Sequence, residues 1–247
     1  VPANGIDDDK NGYVDDIYGW NFIGGKDGEN VHHDNLEVTR LYKKYKDRFE
    51  DIEVGSLSKK EKALYEKWQK YEKEVNEKRE EMGQNVAVYG GIYEAVKSLE
   101  QAIDKDKITL EDIQNFESDD QMLSRSATIV AGLMAEGNSF DAIITDLEGA
   151  YEYYYNQFNY YYNPEFEPRP IVGDDFDDKK ERYYGNPDVR GPDADHGTHV
   201  AGIIGAARHN DVGIDGVANN VRIMALRVVP DGDERDKDVA NAIRYAV

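Results

Sequence analysis

The chain has 247 residues, enough for one large domain or two small ones. Its 51 acidic and 30 basic side chains leave a net charge of −21, which repels a phosphate backbone and argues against nucleic acid as a partner. With no cysteine there are no disulfides, thiolate metal sites or cysteine nucleophiles, and no apolar run approaches the roughly 20 residues that span a bilayer.

Residues 1–33 are rich in Gly, Asp and Asn. Asp7, Asp9, Asn11 and Asp15 alternate so that their oxygens can curl around a hard cation, with Gly12 permitting the sharp turn and Tyr13 offering its carbonyl. The expected cofactor is structural calcium. Position twelve of the loop is Tyr18 rather than a bidentate Glu, so the pattern departs from a full EF-hand; the other reading is an Asx-rich turn without an ion. Ile17–Phe22 follows as a short aromatic strand, and His32 and His33 read as loop histidines.

Residues 34–163 are helical by pattern. Asp34 with Glu37 has capping-box spacing, ahead of Leu41, Tyr45, Phe49 and Ile52 at helical intervals. Ser58 with Glu61 offers a second box before Leu64, Trp68, Tyr71 and Val75, and Val88, Ile92, Val96, Leu99 and Ile103 form a further apolar stripe. Thr109 with Asp112, the run Met122–Met134 and Ser139 each mark another helix. The expectation is a bundle of about five or six helices. It ends in a tyrosine cluster between Tyr151 and Tyr162, readable either as a binding face or as a helix end at a domain border.

Residues 164–247 begin as a loop rich in Pro, Gly and Asp. His196-Gly197-Thr198-His199 then opens a run of small apolar residues, Val200 to Ala207, suited to a buried helix with His196 at its start. A turn at Gly213–Ala218, a strand over Val221–Val229 expected to be buried, and a helix from about Asp236 complete the order. Helix, strand, helix fits part of a parallel α/β sheet. A zinc reading of His196 and His199 lacks a third ligand and the usual glutamate. No initiator Met or secretory pattern stands at Val1, and the last residues read as helix, so an excised piece of a longer protein is expected.

His196-Gly197-Thr198-His199-Val200-Ala201-Gly202 resembles the histidine signature of the subtilisin-like serine peptidases, the subtilase family. Asn4–Phe22, Gly185–His196 and Gly213–Val229 are similar to further family segments, so the resemblance covers roughly residues 1–25 and 183–247. It implies an α/β fold: a partial three-layer parallel-sheet core, in residues 1–33 and 164–247, carrying a large helical insertion at 34–163. It also implies acyl transfer in a serine endopeptidase, with His196 as general base and His199 structural. The family's D-S-G or D-T-G aspartate and its G-T-S-M-A serine have no counterpart here, so the piece alone is expected to be inactive. Asp193 and Asp195 read as loop-shaping residues. Asn210 matches a family asparagine at another calcium site, with one apparent insertion. The implied setting is secreted or cell-envelope, with protein or peptide substrates and a possible protein partner on the insertion. The alternative is a noncatalytic pseudopeptidase or binding scaffold. The acidic run Asp231–Asp236 would favour basic substrate residues if it borders the cleft.

Overall fold

Gly19 opens the first strand, β1 (Gly19–Asn21), because a side chain there could not exist: a Cβ would lie 1.9 Å from the Ala225 carbonyl oxygen, and its φ is +123°. That close approach pairs β1 in parallel with β2 (Ala225–Arg227), Trp20 opposite Leu226. These features come from a computed structural model describing residues 4–247. Residues 1–3 of the expected N-terminal segment lie outside the described residues.

The chain divides into two compact units: Val1–Glu37 with Glu165–Val247, and Val38–Pro164. The first holds β1 and β2, a short α6 (Arg169–Val172), α7 (Asp195–Gly205) and α8 (Asp236–Ala246). Its core is aromatic. Tyr13, Trp20, Phe22 and Tyr184 are buried with Ile23, Val31, Val172 and Ala242, and the Tyr13 ring meets Trp20 and Tyr245 edge-on at 5.0 and 4.9 Å.

The second unit is built on α1 (Glu37–Phe49), α2 (Lys59–Ile103), α3 (Leu110–Gln114), α4 (Gln121–Ala135) and α5 (Phe140–Asn156). Three caps expected from sequence are present. Ser58 with Glu61 and Thr109 with Asp112 form reciprocal boxes, and Ser139 Oγ accepts from Ala142 N at 3.1 Å.

Two helical expectations need correction. The helix begins at Glu37, so Asp34 stands ahead of its N-cap position: its buried carboxylate takes the Arg235 guanidinium at 2.7 and 2.9 Å, and the Glu37 amide donates to Asp233 at 2.7 Å. The apolar stripes on either side of residue 80 belong to one helix of 45 residues, about 68 Å long. Trp68, Val75 and Met82 are buried at heptad spacing, and Tyr93, Val96 and Leu99 take over farther along. Val88 and Ile92, read as part of the second stripe, stay exposed at 56% and 44%. Gly83 and Gly90 lie beneath the Phe158 and Tyr151 rings, where a Cβ would come within 2.9 Å of either. Tyr151 and Tyr154 stack on Tyr93 and Tyr89 of α2, while Tyr153 remains 58% exposed.

Candidate functional site: the histidine helix

His196 is the second residue of α7, as its motif requires. The turn before it is wound by Asp193, whose carboxylate accepts from Asp195 N at 3.0 Å, and Thr198 N donates to Ala194 O at 2.8 Å. Asp193 therefore shapes the loop. The His196 imidazole is exposed and makes no side-chain hydrogen bond or ion pair among the described residues. Nothing lies within 4 Å of where a Gly197 Cβ would stand, so this first turn is open to solvent at Gly197 as well. His199, one turn on, is exposed as well.

The other end of α7 is sealed. Val217 N, Ala218 N and Gly216 N donate to the carbonyls of Ile203, Ile204 and Ala206 at 3.0, 2.8 and 3.1 Å. This satisfies helix-end acceptors that would otherwise be left without partners. Gly216 is required there, since a Cβ would sit 2.3 Å from Ala206 N. The Gly213–Ala218 turn is thus a cap.

The expectation that α7 and the Val221–Val229 segment are buried is overturned. α7 has no buried residue; Val200, Ile203 and Ile204 are 42–45% exposed. Val221, Ile223, Met224 and Val229 are 47–57% exposed, and the regular strand shrinks to Ala225–Arg227. Leu226 and Val228 pack against the aromatic core, and the remaining apolar side chains of these two segments are left largely open to solvent. Arg227, by contrast, is buried, donating to Val31 O at 2.7 Å, and burial lowers its pKa.

In the calcium-type loop, Asp7, Asp9 and Asn11 come together. Asp7 accepts from Asn11 N at 3.1 Å and Gly12 N at 2.8 Å, Asp9 accepts from Asn11 N at 3.2 Å, and Asn11 Oδ1 accepts from Tyr13 N at 2.8 Å. Tyr13 anchors the loop, its ring buried and its hydroxyl on Arg182 O at 3.1 Å. Asp15, with φ +59°, turns to the Asn4 and Gly5 amides at 2.8–3.1 Å rather than toward Asp7. Asn210 accepts from Val212 N at 3.1 Å, two residues on in the chain.

The acidic run after β2 is engaged inside its own unit. Asp231 meets His33 at 2.8 Å, Asp233 takes the Glu37 amide, and Arg235 holds Asp34. Sequence reasoning missed the His33–Asp231 pair, whose residues lie 198 positions apart with no local signal. His33 is partly buried; burial and the adjacent His32 hold its pKa below the usual histidine value, against the pull of Asp231.

The sequence profile of the subtilase family matches residues 98–247. The chain belongs to the subtilase family. The matched region of this subtilase chain contains α7 and β2, and also the last turns of α2 with all of α3, α4 and α5. A thermophilic serine proteinase from Bacillus sp. (strain AK1) is similar to it, 40% identical over 87 residues. That stretch is 35% of this subtilase chain and 20% of the proteinase, so the chain spans about a fifth of that relative. No solved structure matches.

Proposed function

We propose that this subtilase chain supplies the general base of a serine endopeptidase. His196 takes the proton of a serine hydroxyl as it attacks a peptide carbonyl, then returns it to the leaving amine. The observation carrying this reading is the placement of His196. It stands exposed on the first turn of a helix whose far end is sealed, where an imidazole can be approached by a nucleophile and take its proton. The serine and the orienting aspartate come from other parts of a longer polypeptide, because this sequence holds neither motif. Those parts also cover the apolar faces of α7 and β2, completing the parallel sheet. The substrates are proteins or peptides, and the setting is secreted or cell-envelope.

The test is fluorophosphonate labelling of the longer polypeptide. The native protein should label at a serine and the His196→Ala variant should lose the label. Equal labelling of both would remove His196 from the mechanism.

The helical unit, residues 34–163 in the sequence reading, is an insertion in the peptidase core. A stripe on α4 favours a second role for it as a docking face. Met122, Ile129 and Leu133 share one side of that helix and are 66%, 58% and 38% exposed, a pattern that suits a protein partner. In the purely noncatalytic reading, His196→Ala leaves the biological activity intact and charge substitutions on this stripe abolish it.

The Asp7–Asp15 loop binds structural calcium through the side-chain oxygens of Asp7, Asp9 and Asn11 and the Tyr13 carbonyl, and Asp15 closes the site by turning from the Asn4 and Gly5 amides toward the ion. Calcium should raise the melting temperature of the native chain and leave an Asp7→Ala variant unchanged. A melt indifferent to both calcium and chelator would rule the ion out.

A further inference from the structure

Adjacent residues of an extended chain point to opposite faces. His32 and His33 do not: their rings lie 4.1 Å apart, tilted by 31°. Both turn toward Asp231, whose Oδ2 lies 2.8 Å from His33 Nδ1. One ligand atom from each of the three side chains falls within 4.8 Å of the others, the one such group of three His or acidic side chains among the described residues. The backbone beneath is fixed. Asp231 N donates to His32 O at 2.7 Å and Asp34 N to Asp231 O at 2.9 Å, a parallel bridge centred on His33 and Asp231.

We propose that His32, His33 and Asp231 form a binding site for a zinc-class divalent cation. Two imidazoles and a carboxylate suit Zn2+ and its first-row neighbours and do not suit calcium or magnesium, which favour oxygen ligands. Tetrahedral zinc with bonds of about 2.0–2.1 Å sets its ligand atoms about 3.3 Å apart. The three ligand atoms already lie within 4.8 Å of one another, and the metal would replace the proton between His33 and Asp231. The neighbouring Asp34 carboxylate is held by Arg235, so the protein contributes three ligands and water completes the fourth position. Bound there, the ion clamps the segment entering α1 to the loop after β2. The site is separate from His196, and its test does not depend on peptidase activity.

The measurement is equilibrium dialysis of the chain against buffered Zn2+ in millimolar calcium, which saturates oxygen-only sites. The native chain should retain a single equivalent. His32→Ala and Asp231→Asn should each weaken binding at least tenfold, whereas a His196→Gln, His199→Gln double variant should keep it. His32 is exposed, so its substitution leaves the core intact, and circular dichroism verifies both single variants. Cobalt in place of zinc should give the visible bands of a tetrahedral site, and these should vanish in His32→Ala. No uptake by the native chain, or uptake unchanged in both single variants, or uptake lost in the double variant would each overturn the proposal.

Discussion

Two helices of the same unit invert the usual rule of burial. α7 is apolar and small-residued, yet none of its residues is buried; α8 is charged, yet it buries Lys237, Asp238, Asn241 and Ala242. The difference lies in partners. Asp238 accepts from Arg169 at 2.6 and 3.0 Å and from the Tyr184 hydroxyl at 2.7 Å. Asp174 takes the other side of the Arg169 fork at 2.6 Å, and Lys237 reaches Asp174 at 2.7 Å. Two cations and two carboxylates balance, and no buried side-chain nitrogen or oxygen in the described residues lacks a hydrogen-bond partner. The buried polar face of α8 has its partners within this chain. α7 has its cap but no covering layer. A charged surface is buried where its network is complete, and an apolar one stays open until its complement arrives.

The largest effect should come from breaking the α8 network. Arg169→Met leaves Asp174 and Asp238, both with fully buried side chains, without their shared cation. The first unit should lose about 3–5 kcal/mol. Urea unfolding in a Trp68→Phe background reads that unit through Trp20, the other of the two tryptophans. A loss below about 1 kcal/mol would mean that the network contributes little beyond its own desolvation.

The same network carries a pH dependence. Burial alone would raise the Asp174 pKa, but the hydrogen bonds and charges of Arg169 and Lys237 outweigh it and hold it below the usual carboxylate value. A lowered folded-state pKa stabilises above the unfolded value of about 3.9, and that stability is lost as pH falls through it toward the folded value. The first unit should thus be fully stable above about pH 5 and weaken progressively below about pH 4. Asp174→Asn should flatten that limb of the profile; an unchanged acid limb would assign it to other groups.

Substitutions on α7 and on the turn that caps it should divide by position. Gly216→Ala drives a Cβ into the backbone of Ala206 and should cost about 1–3 kcal/mol, seen as faster amide exchange at Val217 and Ala218. Ile203→Ser, on the open face, should change stability by no more than about 0.5 kcal/mol in this chain. A large loss from Ile203→Ser would mean that the face is already covered.

What could be read from sequence and what could not follows the range of each interaction. Ser58 with Glu61, Thr109 with Asp112, and Ser139 each satisfy amides within one turn, so residue identity and spacing suffice to find them. His196 at the head of α7 is equally local. Asp34 had the spacing of a cap but was claimed by Arg235, 201 residues away, and no local pattern announces that competition. The Arg169–Asp238 and His33–Asp231 pairs exist only because the chain returns to itself, across 69 and 198 residues. The exposure of α7 was unreadable for a related reason: apolar patterning tells which face can be buried, and only the folded partners tell whether it is.

The role proposed for His196 is that of a general base. Steady-state hydrolysis of a peptide substrate by the longer polypeptide, native against His196→Ala, tests it most directly. In the variant kcat should fall by about 10²- to 10⁴-fold or more while KM changes little. A kcat for the variant within a few-fold of the native value would contradict it.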